Sequence, residues 1–258
     1  MPPFPLKARR HSEGINGEVQ NHNGESSMNE LQRMLKDIEM EVNLTQNLIG
    51  KNSLDERVMA AMKQVPRHEF IPREFSYYAY DNGPVPIGSG QTISQPYIVA
   101  LMTDLLNTKP TDTVLEIGTG SGYQSAILSK LVKKVYTIEI LEDLAVEANQ
   151  RLHRLNYKNV MVRHGDGYFG CEEYSPYDGI IVTAAAPFVP VPLIEQLNEG
   201  ARLVIPVGLP FHYQELIVVE KKPNGTIETR NILGVSFVPL TGEHDASPRH
   251  KNKLNPRT

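Results

Sequence analysis

A glycine-rich turn between a predicted strand and a predicted helix constrains the fold of this chain more than any other feature. The apolar run at 114–117 predicts a buried strand, and Gly118, Gly120 and Gly122 follow it closely. Glycines allow the main chain to turn tightly and to approach a ligand, because they carry no Cβ. The helix behind them offers unpaired N–H groups in its first turn. The sequence therefore predicts a strand–turn–helix unit that binds a ligand at the turn.

Strand-like and helix-like segments alternate after this turn. The strand-like runs lie at 114–117, 135–138, 160–162, 179–182 and 202–205. The helical patterns lie at 122–131, 142–155 and 192–197, the last ended by Gly200. Strands that are apolar along their whole length indicate a parallel sheet buried on both faces. We therefore predict an α/β fold with a doubly wound, mostly parallel sheet.

The two ends of this sheet domain have patterns of their own. Runs at 215–221 and 226–235 are joined by Pro223, Asn224 and Gly225, which predicts a C-terminal antiparallel hairpin. Before the sheet, helical spacing begins near Met28, and a second helix follows the capping-box pair Ser53 and Glu56. These helices form a predicted N-terminal helical cap.

Composition divides the chain into three parts. Residues 1–27 are rich in Pro, Gly, Asn, Ser and Glu and poor in apolar side chains, so they cannot offset the entropy lost on ordering. We expect a flexible N-terminal extension at 1–27, the α/β domain at 28–242, and a flexible, basic tail at 243–258. The polar, Gly- and Pro-rich stretch at 80–96 lies inside the domain, and loops of that length are usually functional or disordered.

Charge and cysteine content exclude several classes of protein. The net charge of −4 argues against binding nucleic acid through bulk positive charge. A single cysteine, Cys171, excludes an internal disulfide and a Cys-rich zinc site. The sequence has no apolar run long enough to span a membrane and no secretory signal. We expect a cytoplasmic monomer that binds no nucleic acid, membrane or metal.

Two acidic residues indicate which kind of ligand the turn binds. Glu139 ends the second predicted strand, and Asp166 with Gly167 ends the third. Carboxyl ends of adjacent parallel strands meet at one edge of a sheet, where such folds bind ligands, and an acid there can accept hydrogen bonds from ribose hydroxyls. This arrangement predicts a cofactor that contains a nucleoside.

The turn itself favours one cofactor over others. Its Gly-x-Gly-x-Gly pattern is not followed by Lys and Ser or Thr, so it is not an ATP-binding P-loop. Glu116, just before the glycines, would repel a pyrophosphate but suits the cationic amino-acid end of S-adenosyl-L-methionine (AdoMet). The residues therefore favour AdoMet over NAD.

Longer motifs resemble a known family. Residues 115–123 resemble the first motif of class I AdoMet-dependent methyltransferases, which have a Rossmann-like fold. Residues 86–97 are similar to the signature loop of the protein-L-isoaspartate O-methyltransferases, especially their bacterial members. Shorter resemblances follow in order at 164–167, 177–185, 206–208 and 237–240. Together they cover the chain from about residue 30 to 242.

The resemblance implies an activity and a set of site residues. Members of the family methylate the free carboxyl of L-isoaspartyl residues in damaged proteins and peptides, and the ester collapses to a succinimide, which begins repair. Methyl transfer converts AdoMet to S-adenosyl-L-homocysteine. The implied cofactor residues, with Glu116 added from the charge argument above, are Thr92, Ile93, Glu116, Gly118, Gly120, Gly122, Glu139, Asp166 and Gly167. The implied substrate residues are Ser94, Val238, Pro239, Leu240 and Thr241, with Ser94 as the active-site serine.

The role of Ser94 and the exact function stay open at this point. A carboxylate with a pKa of about 4 is already an anion at neutral pH, so it needs no general base to accept a methyl group. Ser94 is then no nucleophile: it donates a hydrogen bond to the substrate carboxylate, or it caps the next helix, or both. The alternatives are a carboxyl methyltransferase with another substrate and a non-catalytic AdoMet-binding protein.

Overall fold

A seven-stranded sheet forms the centre of the computed structural model, which describes residues 22–210 and 212–242. The helices are α1 (His22–Ile49), α2 (Glu56–Gln64), α3 (Pro96–Leu106), α4 (Tyr123–Ser129), α5 (Glu142–Arg154) and α6 (Val191–Glu195). The strands are β1 (Val85–Gly88), β2 (Gln91–Ile93), β3 (Thr113–Ile117), β4 (Lys134–Glu139), β5 (Val160–His164), β6 (Tyr177–Val182), β7 (Leu197–Val207), β8 (Gln214–Lys221) and β9 (Ile227–Val235). Strands β1 and β2 form a separate antiparallel hairpin.

The order of strands in the large sheet is β5-β4-β3-β6-β7-β8-β9. Neighbouring strands from β5 to β7 are parallel, and β8 and β9 extend the sheet as antiparallel strands. The chain leaves β3 toward β4 and β5 and later returns to β6 on the other side of β3. This reversal places a crevice at the carboxyl ends of β3 and β6, which is where open α/β sheets bind ligands.

Apolar side chains cover both faces of the sheet. Consecutive residues of β3, Val114 and Leu115, point into two different hydrophobic clusters, as the two-residue period of a strand requires. The first cluster packs the sheet against α1 to α5, and the second packs it against α6 and the short helical turns after β5. The predicted doubly wound sheet is therefore confirmed, as is the C-terminal hairpin β8–β9.

The predicted N-terminal helices cap the domain, with differences at their ends. Helices α1 and α2 both contact α3. The N-cap of α2 is Asp55, whose side chain accepts a hydrogen bond from Arg57 N at 2.7 Å, so the capping box at Ser53 and Glu56 is wrong. Helix α1 begins at His22, inside the segment predicted to be flexible. The remainder of the predicted extension and the whole predicted tail lie outside the described residues.

Two further predictions, for the loop at 80–96 and for the end of a helix at Gly200, also differ from the structure. The polar stretch at 80–96 contains the β1–β2 hairpin, whose two-residue turn places both Ser89 and Gly90 at positive φ. Gly200 does not end a helix: α6 ends at Glu195, and Gly200 lies in β7 at φ +80°, where the pairing with β6 shifts register. Among the described residues, no helix combines the length and apolar character needed to cross a membrane.

Candidate active site

A pocket lies at the carboxyl ends of β3, β4 and β6, in the crevice where the strand order reverses. Four stretches that are distant in sequence contribute most of its wall: residues near 89–94, 117–124, 138–141 and 238–241. Gly167, Thr183 and Ala184 complete this part of the wall from the ends of β5 and β6. The pocket therefore lies between the glycine-rich turn, the β1–β2 hairpin and the segment after β9.

The glycine-rich turn forms one wall because it has no side chains at two critical positions. Gly118 has φ +92°, and a Cβ at this position would lie 2.5 Å from Thr183 Oγ1. Gly120 has φ +52° and faces Ile87 of the hairpin. Both glycines line the pocket, whereas Gly122 does not. Gly122 precedes α4 and packs against Leu152, so its role is to join the helix closely to the fold.

Glu139 lies in this wall with its carboxylate already held by the main chain. Its Oε2 accepts a hydrogen bond from Gly120 N at 2.8 Å, and its Oε1 accepts one from Leu141 N at 3.1 Å. An ionised carboxylate has about four acceptor positions, so two remain for hydroxyl donors of a ligand. The geometry suits the predicted ribose contact, because Glu139 and the turn lie on adjacent strands.

Glu116 does not line the pocket, contrary to the expectation from its position before the glycines. It is fully buried, and Ser125 of α4 donates a hydrogen bond to its carboxyl group. Burial raises the pKa of Glu116 to about 8, so the group is mostly neutral at pH 7. A neutral carboxyl on the α4 face of β3 cannot offer charge to a cationic cofactor in the pocket.

The third predicted strand places its two site residues differently. Gly167 lines the pocket, whereas Asp166 faces the neighbouring surface. Asp166 Oδ1 accepts a hydrogen bond from Tyr168 N at 2.9 Å, and the Asp166 carboxylate lies against Gly242. Asp166 therefore stands beside the pocket, in contact with the segment that follows Thr241, instead of in its wall.

The hairpin and the residues after it form the wall that carries Ser94. Thr92, Ile93 and Ser94 all line the pocket. Helix α3 begins at Pro96 with Gln95 as its N-cap, so the interpretation of Ser94 as a helix cap is wrong. Within the described part of the chain, the Ser94 hydroxyl has no hydrogen-bond partner, although its carbonyl accepts one from Arg67. The hydroxyl is thus free to donate to a molecule in the pocket.

The segment after β9 forms the remaining wall with Val238, Pro239, Leu240 and Thr241. Ala185, after β6, fixes this segment from one side: Ala185 N donates to Val238 O, and Leu240 N donates to Ala185 O, both at 2.8 Å. The resulting main-chain ladder ties the segment to the end of a central strand. Its position in the pocket is therefore set by the sheet.

Several lining residues are absent from the sequence-based predictions. Ile140 and Leu141 follow Glu139 directly, so their position at the carboxyl end of β4 could have identified them. Thr183 follows β6 directly and donates a hydrogen bond from its hydroxyl to Gly118 O at 2.6 Å, which no local pattern predicts. Of the described residues that line the pocket, Glu139 alone carries a charged side chain.

Comparisons with known proteins point to one family. The family model described as protein-L-isoaspartate(D-aspartate) O-methyltransferase matches residues 39–245. A relative from Nitrosococcus oceani, named protein-L-isoaspartate O-methyltransferase 2, is 63% identical over 82% of this chain and 96% of its own. A relative of the same name from a Polaromonas species is 59% identical over 81% of this chain and 100% of its own.

Solved structures have the same fold. A structure named protein-L-isoaspartate O-methyltransferase matches with a TM-score of 0.71 at 26% identity and covers 82% of this chain. The match covers 66% of that longer chain. A Plasmodium falciparum protein assigned to the same family, solved in complex with S-adenosyl-L-homocysteine, matches with a TM-score of 0.64 at 27% identity, over 80% of this chain and 97% of its own.

Proposed function

This chain belongs to the protein-L-isoaspartate(D-aspartate) O-methyltransferase family, and on that premise we propose how its pocket transfers a methyl group from AdoMet to the free carboxyl of an L-isoaspartyl residue. Substrates of this class are damaged proteins and peptides. The methyl ester that forms collapses to a succinimide, and hydrolysis of the succinimide returns part of the chain to normal aspartate.

The cofactor side of the pocket suits AdoMet. Gly118 and Gly120 let the turn pack closely against Thr183 and Ile87 at positive φ, so that main-chain groups of the turn line the pocket. Glu139 presents free acceptor positions for the ribose hydroxyls, and Gly167 lies where the adenine would pass. Thr92 and Ile93 contribute the wall toward the methionine part. Bound AdoMet supplies a methyl group activated by its sulfonium charge.

The substrate side consists of Ser94 and the segment Val238, Pro239, Leu240 and Thr241. The Ser94 hydroxyl donates a hydrogen bond to one oxygen of the isoaspartyl carboxylate, which leaves the other oxygen to attack. Main-chain groups of the 238–241 segment hold the peptide on which that carboxylate is carried. Asp166 and Gly242 support the edge of this segment.

The transfer needs alignment and not proton removal. A carboxylate oxygen displaces the sulfur from the methyl carbon, so a C–O bond forms, the C–S bond breaks, and its electron pair remains on sulfur. The carboxylate is ionised before it binds. The protein therefore contributes by aligning the reacting atoms and by removing water from the attacking oxygen. A described pocket wall without His, Lys or Arg agrees with this chemistry.

The proposal rests on one observation: the glycine turn with Glu139 and the wall with Ser94 meet in a single pocket. The direct test is methyl transfer from AdoMet to an isoaspartyl peptide, compared with the same peptide carrying normal aspartate. Transfer to the normal peptide should be at least about 100-fold slower, because its carboxylate is displaced from the aligned position. Glu139→Ala serves as the control: if methyl transfer takes place in this pocket, the variant should transfer more slowly to the isoaspartyl peptide.

Two outcomes would contradict the proposal. Equal rates on the two peptides would point to a carboxyl methyltransferase with a different substrate. Binding of AdoMet without transfer to either peptide would point to a non-catalytic AdoMet-binding protein.

A further inference from the structure

Arg67 is a fully buried arginine that does not line the pocket but contacts two of its walls. It lies in the short helical turn after α2, Arg67–Phe70. Its Nη2 donates to Ser94 O at 3.0 Å and to Gly83 O at 3.3 Å. Gly83 precedes strand β1 and Ser94 follows strand β2, so one nitrogen joins the two ends of the β1–β2 hairpin at its base.

The same guanidinium also reaches the cofactor wall. Its central carbon lies 5.0 Å from the centre of the Tyr123 ring, within the range of a cation–π contact. Tyr123 is the first residue of α4, lines the pocket and is 1% exposed. Arg67 therefore stands between the hairpin that carries Ser94 and the helix that follows the glycine-rich turn.

This arrangement is costly as a purely structural device. Burial lowers the pKa of Arg67 to about 10, so the guanidinium still carries its charge at pH 7. The Tyr123 hydroxyl lies beside the guanidinium, but neither it nor Nε and Nη1 makes a hydrogen bond of ordinary geometry in the part of the chain that the structure describes. Buried unpaired donors reduce stability, and well-packed apolar side chains are often as stable as buried charges. The position of Arg67 is better explained by what it holds.

We propose that Arg67 is a positioning residue for methyl transfer, which fixes the Ser94 hairpin against the cofactor helix α4. The inference rests on the proposed function, because it concerns alignment in that pocket. Lysine cannot replace it fully: a compact ammonium can donate to both carbonyls, but it lacks the planar guanidinium that also lies over the Tyr123 ring. A loosened hairpin base would move Ser94 relative to the cofactor, and misplacement of about 1 Å can cost about 100-fold in rate.

The test compares Arg67→Lys and Arg67→Gln with Arg202→Lys. Arg202 of β7 is a partly buried arginine that also donates to a main-chain carbonyl, Leu105 O at 3.3 Å, but it lies outside the pocket wall. For each variant, kcat and KM are measured with an isoaspartyl peptide, and AdoMet affinity by calorimetry, at a temperature where the variant is folded. Hydrogen exchange of residues 85–93 is followed by mass spectrometry.

The expected result is a split between the readouts. Arg67→Lys and Arg67→Gln should lower kcat by about 10- to 100-fold, change AdoMet affinity by less than about 3-fold, and speed exchange in the hairpin but not in β3 or β4. Arg202→Lys should change kcat by less than about 3-fold. Within that range, kcat should fall less in Arg67→Lys than in Arg67→Gln, because lysine keeps the positive charge.

Three results would overturn the inference: wild-type kcat in Arg67→Lys and Arg67→Gln, equal losses of kcat and AdoMet affinity, or failure of both variants to fold, which would make Arg67 a structural residue. If the unmodified enzyme itself fails to methylate the isoaspartyl peptide, the proposed function fails instead. The exchange of residues 85–93 still decides whether Arg67 holds the hairpin, because that readout needs no substrate.

Discussion

Gln214 binds the main chain of Phe237 through both ends of its side-chain amide. Its Oε1 accepts a hydrogen bond from Phe237 N at 2.6 Å, and its Nε2 donates one to Phe237 O at 3.1 Å. Gln214 is 3% exposed and begins strand β8, whereas Phe237 directly precedes the pocket-lining segment 238–241. The antiparallel end of the sheet thus positions a wall of the pocket through one side chain.

Gln214→Ala should therefore lower the stability of the protein and raise its KM for the peptide substrate. Loss of two buried hydrogen bonds should lower the free energy of unfolding by about 1–3 kcal/mol, measured by urea denaturation. KM for the isoaspartyl peptide should rise, while AdoMet affinity should change by less than about 3-fold, because the cofactor wall lies elsewhere. Asn231→Ala, which removes the bond from Asn231 to Glu215 on the surface, is the matched control. An unchanged KM in Gln214→Ala would contradict this role.

Ser94→Ala should reduce activity without reducing stability. The hydroxyl has no partner among the described residues and does not cap α3, so the free energy of unfolding should change by no more than about 0.5 kcal/mol. Loss of a hydrogen bond to the substrate carboxylate should lower kcat/KM by about 5- to 150-fold. Ser53→Ala, at an exposed serine outside the pocket wall, should leave both quantities unchanged. Full activity of the Ser94 variant would remove Ser94 from the site.

Glu139→Ala should weaken cofactor binding, whereas Glu116→Gln should leave it almost unchanged. Removal of Glu139 should weaken AdoMet binding by about 10- to 150-fold, because charge-assisted bonds to the ribose are lost. It should also lower stability, because Gly120 N and Leu141 N lose their acceptor. Glu116→Gln should change AdoMet affinity by less than about 3-fold, since Glu116 lies outside the pocket wall. Calorimetry that ranks the two variants in the reverse order would refute this assignment.

Glu116 should also make stability depend on pH. Burial raises its pKa from 4.5 to about 8, so the folded protein holds a proton that the unfolded chain releases in that range. The contribution of Glu116 to the free energy of unfolding should therefore fall as pH rises from 4.5 to about 8 and level off above it.

The measurement is urea denaturation at about pH 5 and about pH 8.5, for the wild type and Glu116→Gln. The difference in stability between the two pH values should shrink in the variant, because glutamine does not titrate. An identical difference in both proteins would show that Glu116 is ionised throughout the folded state.

The sequence predicts those parts of the fold and pocket that depend on local patterns. The glycine-rich turn, Glu139 at the end of β4 and the hairpin β8–β9 each have their signal within a few residues. The predicted role of Glu116 is wrong because side chains alternate along a strand, so that neighbouring residues of β3 point to opposite faces of the sheet. Ile117 lines the pocket, whereas Glu116 points under α4.

Other features depend on contacts between distant parts of the chain. Arg67 reaches Ser94, and Gln214 reaches Phe237, through hydrogen bonds that no periodic pattern encodes. The β1–β2 turn places a serine, Ser89, at positive φ, where sequence rules favour glycine or asparagine. Such positions are decided by the packed structure, so they become visible only when it is known.

The pocket wall comes from stretches of chain that lie together only in the folded protein. A molecule that fills it binds the folded state and not the unfolded chain, so occupancy shifts the folding equilibrium by mass action. At a concentration of 100 times Kd, that shift is about 2.7 kcal/mol, which for a domain of this size raises the unfolding temperature by about 5–10 °C. A protein that repairs others thus gains heat resistance with the logarithm of the concentration of its own methyl donor.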